Sequence, residues 1–150
     1  MSLLIPPPLV MVMFGAAMWG VSRFLPEGHI AFSLQVPMAI ALLVVGVLLI
    51  GISVGSLILA RTTVNPLKPS EASSLVTDGV FGISRNPIYL GDLLILAALV
   101  VWLGNLLNIV LLVVFAWYIT TFQIQPEERA LTALFREQYS AYCSRVRRWL

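Results

Sequence analysis

No charged residue occurs from Ile30 to Ala60, nor again from Leu93 to Gln125. As a helix rising about 1.5 Å per residue, Val36 to Ala60 reaches roughly 37 Å, enough to cross a hydrocarbon core of about 30 Å with tilt. In lipid the backbone must satisfy its own hydrogen bonds, which selects helices for such runs. Gly104-Asn105 breaks the second run into two shorter spans, about Pro87 to Leu103 and Leu106 to Phe122, joined by a tight turn. Another span runs from about Leu9 to Leu25, with Arg23 near its end and Pro26-Glu27-Gly28 as its stop. The sequence therefore predicts an all-α, polytopic membrane protein with about four transmembrane helices, forming a single domain over residues 1–150.

Composition agrees, since only 11% of residues are charged where soluble domains carry about 25%. The segment from Arg61 to Arg85 holds Arg61, Lys68 and Arg85, and the C-terminal tail holds Arg129, Arg136, Arg145, Arg147 and Arg148. The opposite loops offer only Arg23 as a basic residue. By the positive-inside rule both termini and the long middle loop are cytoplasmic, in the inner or plasma membrane if the chain is bacterial. The N-terminus lacks a basic n-region and a clear small-x-small cleavage site, so the first apolar segment reads as retained. A net charge of +2, without interleaved basic and aromatic residues, argues against nucleic-acid binding. Cys143 is the single cysteine and His29 the single histidine, which leaves no intrachain disulfide and no evident metal site. Gly51 and Gly55, and likewise Ala16 and Gly20, are small-xxx-small pairs expected at close helix contacts. Trp19, Trp102, Trp117 and Tyr118 fit an interfacial belt.

Polar chemistry gathers at the base of the last hairpin. Arg85-Asn86-Pro87-Ile88-Tyr89-Leu90-Gly91 opens it, and Glu127-Glu128 lies just beyond its far end. A two-pass hairpin returns to its starting side, so the two clusters should meet at one membrane face. Asn86 suits an N-cap and Pro87 the first helical position. The free N–H groups of that helix start, with the positive dipole end, bind carboxylates or phosphates, and Arg85 adds a fork of donors. Glu127 and Glu128 could simply complement the dipole of a following helix. They could equally bond a ribose diol or an ammonium group. Asp92, about one turn inside the third span, is an ionisable group in the membrane and so a functional candidate. It is the nearest base for a neutral nucleophile, or else a carboxylate satisfied by the helix N-terminus. After Pro126, Leu131, Leu134, Phe135, Tyr142, Val146 and Trp149 recur at helical spacing, opposed by Arg129, Arg136, Glu137, Arg145 and Arg148. That pattern is an amphipathic helix lying on the membrane surface or over the cytoplasmic mouth.

In order along the chain, Leu75-Val76-Thr77-Asp78-Gly79-Val80-Phe81, the Arg85 to Gly91 segment, Glu127-Glu128 and the Phe135…Tyr139…Tyr142…Val146 tail resemble the isoprenylcysteine carboxyl methyltransferase family. Phospholipid N-methyltransferases are relatives of that family. The resemblance covers about the second half, from Thr62-Thr63-Val64-Asn65-Pro66 onward. It implies a cofactor-binding half over about 62–150, with S-adenosylmethionine in a cytoplasm-facing pocket covered by the amphipathic C-terminal helix. It would place Val76, Thr77 and Gly79 along the cofactor, with Arg85, Asn86, Pro87, Tyr89, Leu90, Gly91, Glu127 and Glu128 around its polar ends. Arg85, Asp92 and Glu128 become candidate catalytic residues, and Thr62, Thr63 and Asn65 candidates for the substrate side. The acceptor would be a lipophilic or small-molecule, membrane-delivered carboxylate, thiol or amine, with membrane lipids as further partners. Two positions depart from many members, which carry histidine in place of Asn86 and glycine in place of Arg136. The alternatives are an NADPH-dependent membrane reductase, which would want more phosphate-binding basic residues, and a four-span transporter or assembly protein, which would typically place an acid deep in a span.

Overall fold

In the computed structural model, residues 5–63 and 72–150 are described, and Asn65 of the sequence reading lies outside them. Helices account for the regular structure of these residues: α1 Pro7–Phe24, α2 Gln35–Leu59, α3 Pro87–Leu103, α4 Asn108–Ile119 and α5 Gln125–Arg145. Short 3₁₀ turns at Pro26–Gly28 and Gly79–Gly82 punctuate the connections, and a wide π-helical turn at Thr120–Ile124 joins α4 to α5. The first three helices match the expected spans to within a few residues. The fourth does not end near Phe122, because the π turn carries the helix through to give one run, Asn108–Arg145.

That run and α2 are each long and apolar enough to cross a membrane, and α3 is a shorter apolar helix. Only 11% of the most apolar stretch of α2 is buried. Val44, Leu48, Ile52 and Ile58 are all exposed. Soluble monomers rarely expose contiguous apolar patches beyond a few hundred Å², so this surface suits lipid.

The core joins α1, α3 and α4 through Val10, Met18, Leu96, Val100, Phe115 and Ile119. The other side of α3 packs along α2. The crossing point is glycine on glycine: a Cβ on Gly91 would lie 2.5 Å from Ile50 Cγ1 and 2.8 Å from the Gly46 carbonyl. The expected contact at Gly51 and Gly55 is not made, since a Cβ on either would meet nothing within 4 Å, and the same holds for Gly20. Small pairs permit close approach without fixing which face of a helix is used.

Backbone ties lock one end of the molecule. Gly104 ends α3 with φ +61°, a left-handed cap that glycine adopts without steric cost. Its carbonyl accepts the Ile30 N–H at 2.6 Å, the Leu106 N–H donates to Gly28 O at 3.0 Å, and Asn105 Nδ2 donates to Leu25 O at 2.8 Å. With the α1–α2 and α3–α4 connections sewn together there, the polar residues lie at the opposite end. At that end α2 stops in a Schellman arrangement, with Arg61 N–H to Ile58 O at 3.0 Å and Thr62 N–H to Leu57 O at 3.1 Å. The Thr62 hydroxyl then donates to Ser74 O at 3.1 Å and accepts the Ser73 N–H at 3.2 Å.

Candidate functional site

Where α2 ends and α3 begins, the fold forms a partly open cavity of about 370 Å³, within the usual small-molecule range of about 300–1,000 Å³. Ile50, Val54 and Leu57 of α2 give it an apolar wall, and Leu131, Tyr139 and Tyr142 of α5 face them. Its polar lining gathers Thr62, Thr63, Arg85, Asn86, Tyr89, Asp92, Glu127 and Glu128, with Val76 and Pro87 beside them. Ten residues named from sequence thus come to one cavity. Thr77, Gly79, Leu90 and Gly91 are not among its lining residues. Gly91 sits at the α2–α3 crossing instead, and Gly79 takes φ +61° to open its 3₁₀ turn. Pro7, Pro8 and the α2 wall were not legible as site residues, because nothing in an apolar span marks one face as lining a cavity.

The charges are tightly interlocked. Arg85 Nη2 lies 3.2 Å from Glu128 Oε1, while Arg148 donates through Nε to the same oxygen at 3.0 Å and through Nη2 to Oε2 at 2.7 Å. Arg85 also donates through Nη1 to Cys143 Sγ, and its buried Nε has no partner among the described residues. Asn86 does not cap α3 with its side chain. Its Nδ2 donates to the Arg148 carbonyl at 2.9 Å instead. The first turn of α3 is left without a side-chain cap, so it keeps the free N–H groups that make a helix start attractive to anions.

On the acidic side, the Tyr89 hydroxyl donates to Glu127 Oε1 at 3.1 Å. Glu127 lies in α5, past the apolar part of the Asn108–Arg145 run. Burial pushes its carboxyl up to about 8, against the pull of the Tyr89 hydrogen bond and with the neighbouring Glu128 charge adding to the rise. Asp92 is 7% exposed and lines the cavity.

The end of the chain covers this cluster. Arg136 adopts φ 41°, ψ −111° inside α5 and kinks it, a conformation costing a non-glycine residue roughly 1–3 kcal/mol. Glycine, expected there from the family resemblance, would adopt it without that cost. Beyond the kink, Tyr139, Tyr142 and Val146 pack with Leu75, Leu131 and Phe135, and the Tyr142 hydroxyl donates to Phe81 O at 2.6 Å.

Chemically, the cavity pairs a cationic fork and an uncapped helix start with two carboxylates, against an apolar wall. That suits a zwitterionic ligand held beside a lipophilic one.

Residues 34–138 match the profile of the phospholipid methyltransferase family. An uncharacterized protein of Haemophilus influenzae is 44% identical over 63 residues, covering 42% of this chain and all of that protein. Protein-S-isoprenylcysteine O-methyltransferase B of Arabidopsis thaliana is 34% identical over 80 residues, covering 53% of this chain and 41% of the plant protein. This chain therefore spans less than half the length of that relative. No solved structure matches.

Proposed function

The chain belongs to the phospholipid methyltransferase family, and from that premise we propose that it is an integral membrane methyltransferase using S-adenosylmethionine. Its acceptor is a lipophilic or membrane-delivered carboxylate, thiol or amine. The single observation that carries this reading is the meeting of Arg85, the uncapped start of α3, Glu127 and Glu128 in one cavity with an apolar α2 wall. The proposed topology has four spans in one domain, both termini cytoplasmic, and the cofactor held by the half over about 62–150.

The donor set fits the cofactor. Arg85, whose Nε has no partner among the described residues, and the N–H groups opening α3 bind the amino-acid carboxylate. Glu127, oriented by Tyr89, takes the ammonium or the ribose diol. Bound there, S-adenosylmethionine would supply an electrophilic methyl group for the acceptor, with the neutral thioether as the leaving group. Ile50, Val54 and Leu57 hold the apolar part of the acceptor and keep water from the cavity, which favours a transfer in which charge is lost. Glu128 fixes the Arg85 guanidinium. Asp92 accepts the proton when the acceptor is a neutral amine or hydroxyl, whereas a carboxylate or thiolate needs no base. Thr62 and Thr63 lie on the acceptor side, at the mouth formed by the end of α2.

Reconstitution in lipid vesicles tests this. With methyl-labelled S-adenosylmethionine, label is expected in the organic extract when a phosphatidylethanolamine, a farnesylated cysteine or a long-chain thiol is offered, and is expected to be lost in Arg85→Met. No transfer to any of the three, with NADPH oxidised instead, would move the chain to the reductases.

A further inference from the structure

The sequence pattern puts Arg148 among the solvent-facing basic residues of the tail helix. The fold puts it elsewhere. Helix α5 ends at Arg145, and Val146 turns extended with φ −121° and ψ 131°, sending residues 147–150 back across the site. The Arg147 carbonyl accepts the Arg85 N–H at 3.0 Å. The Arg148 carbonyl accepts Asn86 Nδ2 at 2.9 Å and the Ser84 hydroxyl at 3.4 Å. Trp149 Nε1 donates to Thr120 Oγ1 at 3.3 Å. Each of the first three bonds lands on the segment that opens α3.

We propose that Arg148 is a positioning residue for the methyl-donor site: by taking both oxygens of Glu128 it limits Arg85 to a shared contact with one of them, which fixes the guanidinium without drawing it away from the anionic end of the ligand. The proposal rests on the methyltransferase reading above. Arg148 takes Glu128 Oε1 and Oε2 as a fork, and Arg85 shares only Oε1. Without Arg148, a carboxylate 15% exposed would keep Arg85 as its one cationic partner among the described residues. A bidentate pair is the stronger geometry, so Glu128 would draw the guanidinium onto itself and away from the cavity. The Arg148 side chain is 37% exposed, and screening keeps the net stability from such a pair small. Its consequence is therefore placement more than folding free energy.

Equilibrium binding of S-adenosylhomocysteine to the detergent-purified full chain, with steady-state kinetics alongside, tests this in Arg148→Ala, Arg148→Lys and the neighbouring Arg147→Ala. The Arg147 side chain is exposed, so its removal takes a charge and leaves the backbone bond to Arg85. Losing a charge-assisted fork should weaken Arg148→Ala by about tenfold or more, with Arg148→Lys between it and the parent and Arg147→Ala unchanged. The KM for the methyl donor should rise more than kcat falls. A merely structural role would lower the active fraction, and so kcat, at constant KM. Binding by Arg148→Ala equal to the parent overturns the proposal, as does equal weakening by Arg147→Ala. Should Arg148→Ala fail to fold, Arg148→Lys decides, and parental affinity there overturns it. A parent chain that binds no S-adenosylhomocysteine overturns the methyltransferase reading itself, and this proposal with it.

Discussion

Glu127 shows most clearly how one residue's surroundings set its chemistry. Its carboxyl, pushed up to about 8 by burial, rests largely neutral below that pH and ionised above it. A bound ammonium group favours the carboxylate, so at lower pH binding must first release a proton, and affinity rises as pH rises. S-adenosylhomocysteine affinity should therefore climb from about pH 6.5 to about 9 with its midpoint near 8, and Tyr89→Phe should move that midpoint upward by removing a hydrogen bond that favours the ionised form. Glu127→Gln should bind weakly with no such slope. Titrations across that pH range check all three, and a flat parental profile would contradict the role given to Glu127. At this scale Arg85 and the glutamate pair were legible because they are the charges flanking a hairpin that carries Asp92 as its single charge. Asn86 was half legible. Local capping propensity marked the helix start, but its side chain answers to a carbonyl 62 residues away, and no spacing rule reaches that far. Arg148 was misread for the same reason, since helical periodicity does not report where a helix stops.

Among the elements, the α2–α3 pair carries the apolar wall and the polar floor of the cavity together. Their approach depends on Gly46 and Gly91. A side chain at Gly91 would drive into Ile50 Cγ1, so Gly91→Val should destabilise the protein by about 1–3 kcal/mol, the usual cost of overpacking. Gly55→Val, where a Cβ meets nothing within 4 Å, should leave folding close to the parent. Thermal unfolding in one detergent compares them, and equal loss in both would mean that the helices do not cross where the structure puts them. Helix positions were legible from the uncharged runs, because their length and their breaks are written directly in composition. The choice of contact face was not. Helix α2 carries glycine at 46, 51 and 55, and only the partner helix selects among them. The continuation through the π turn was equally hidden, since Pro126 reads as a start but sits at a helix position where a proline N–H is dispensable.

For the whole molecule, one end is sewn shut by loop-to-loop backbone bonds and the other holds a charged cavity beneath a folded-back tail. The outward apolar surface of α2 and the family match together make a membrane methyltransferase the reading that uses every part of this arrangement. The overall class and the clustering of Arg85 with Glu127-Glu128 could be read before any coordinates, because a two-pass hairpin must return to its starting side. The closure by residues 146–149 could not. The central claim is that the cavity holds S-adenosylmethionine, and calorimetric titration of the detergent-purified protein with S-adenosylhomocysteine, run beside NADPH, tests it most directly. Saturable binding of the nucleoside that falls in Arg85→Met and Glu127→Gln, with none of NADPH, is the expected result. Binding of NADPH alone, or of neither, would contradict it.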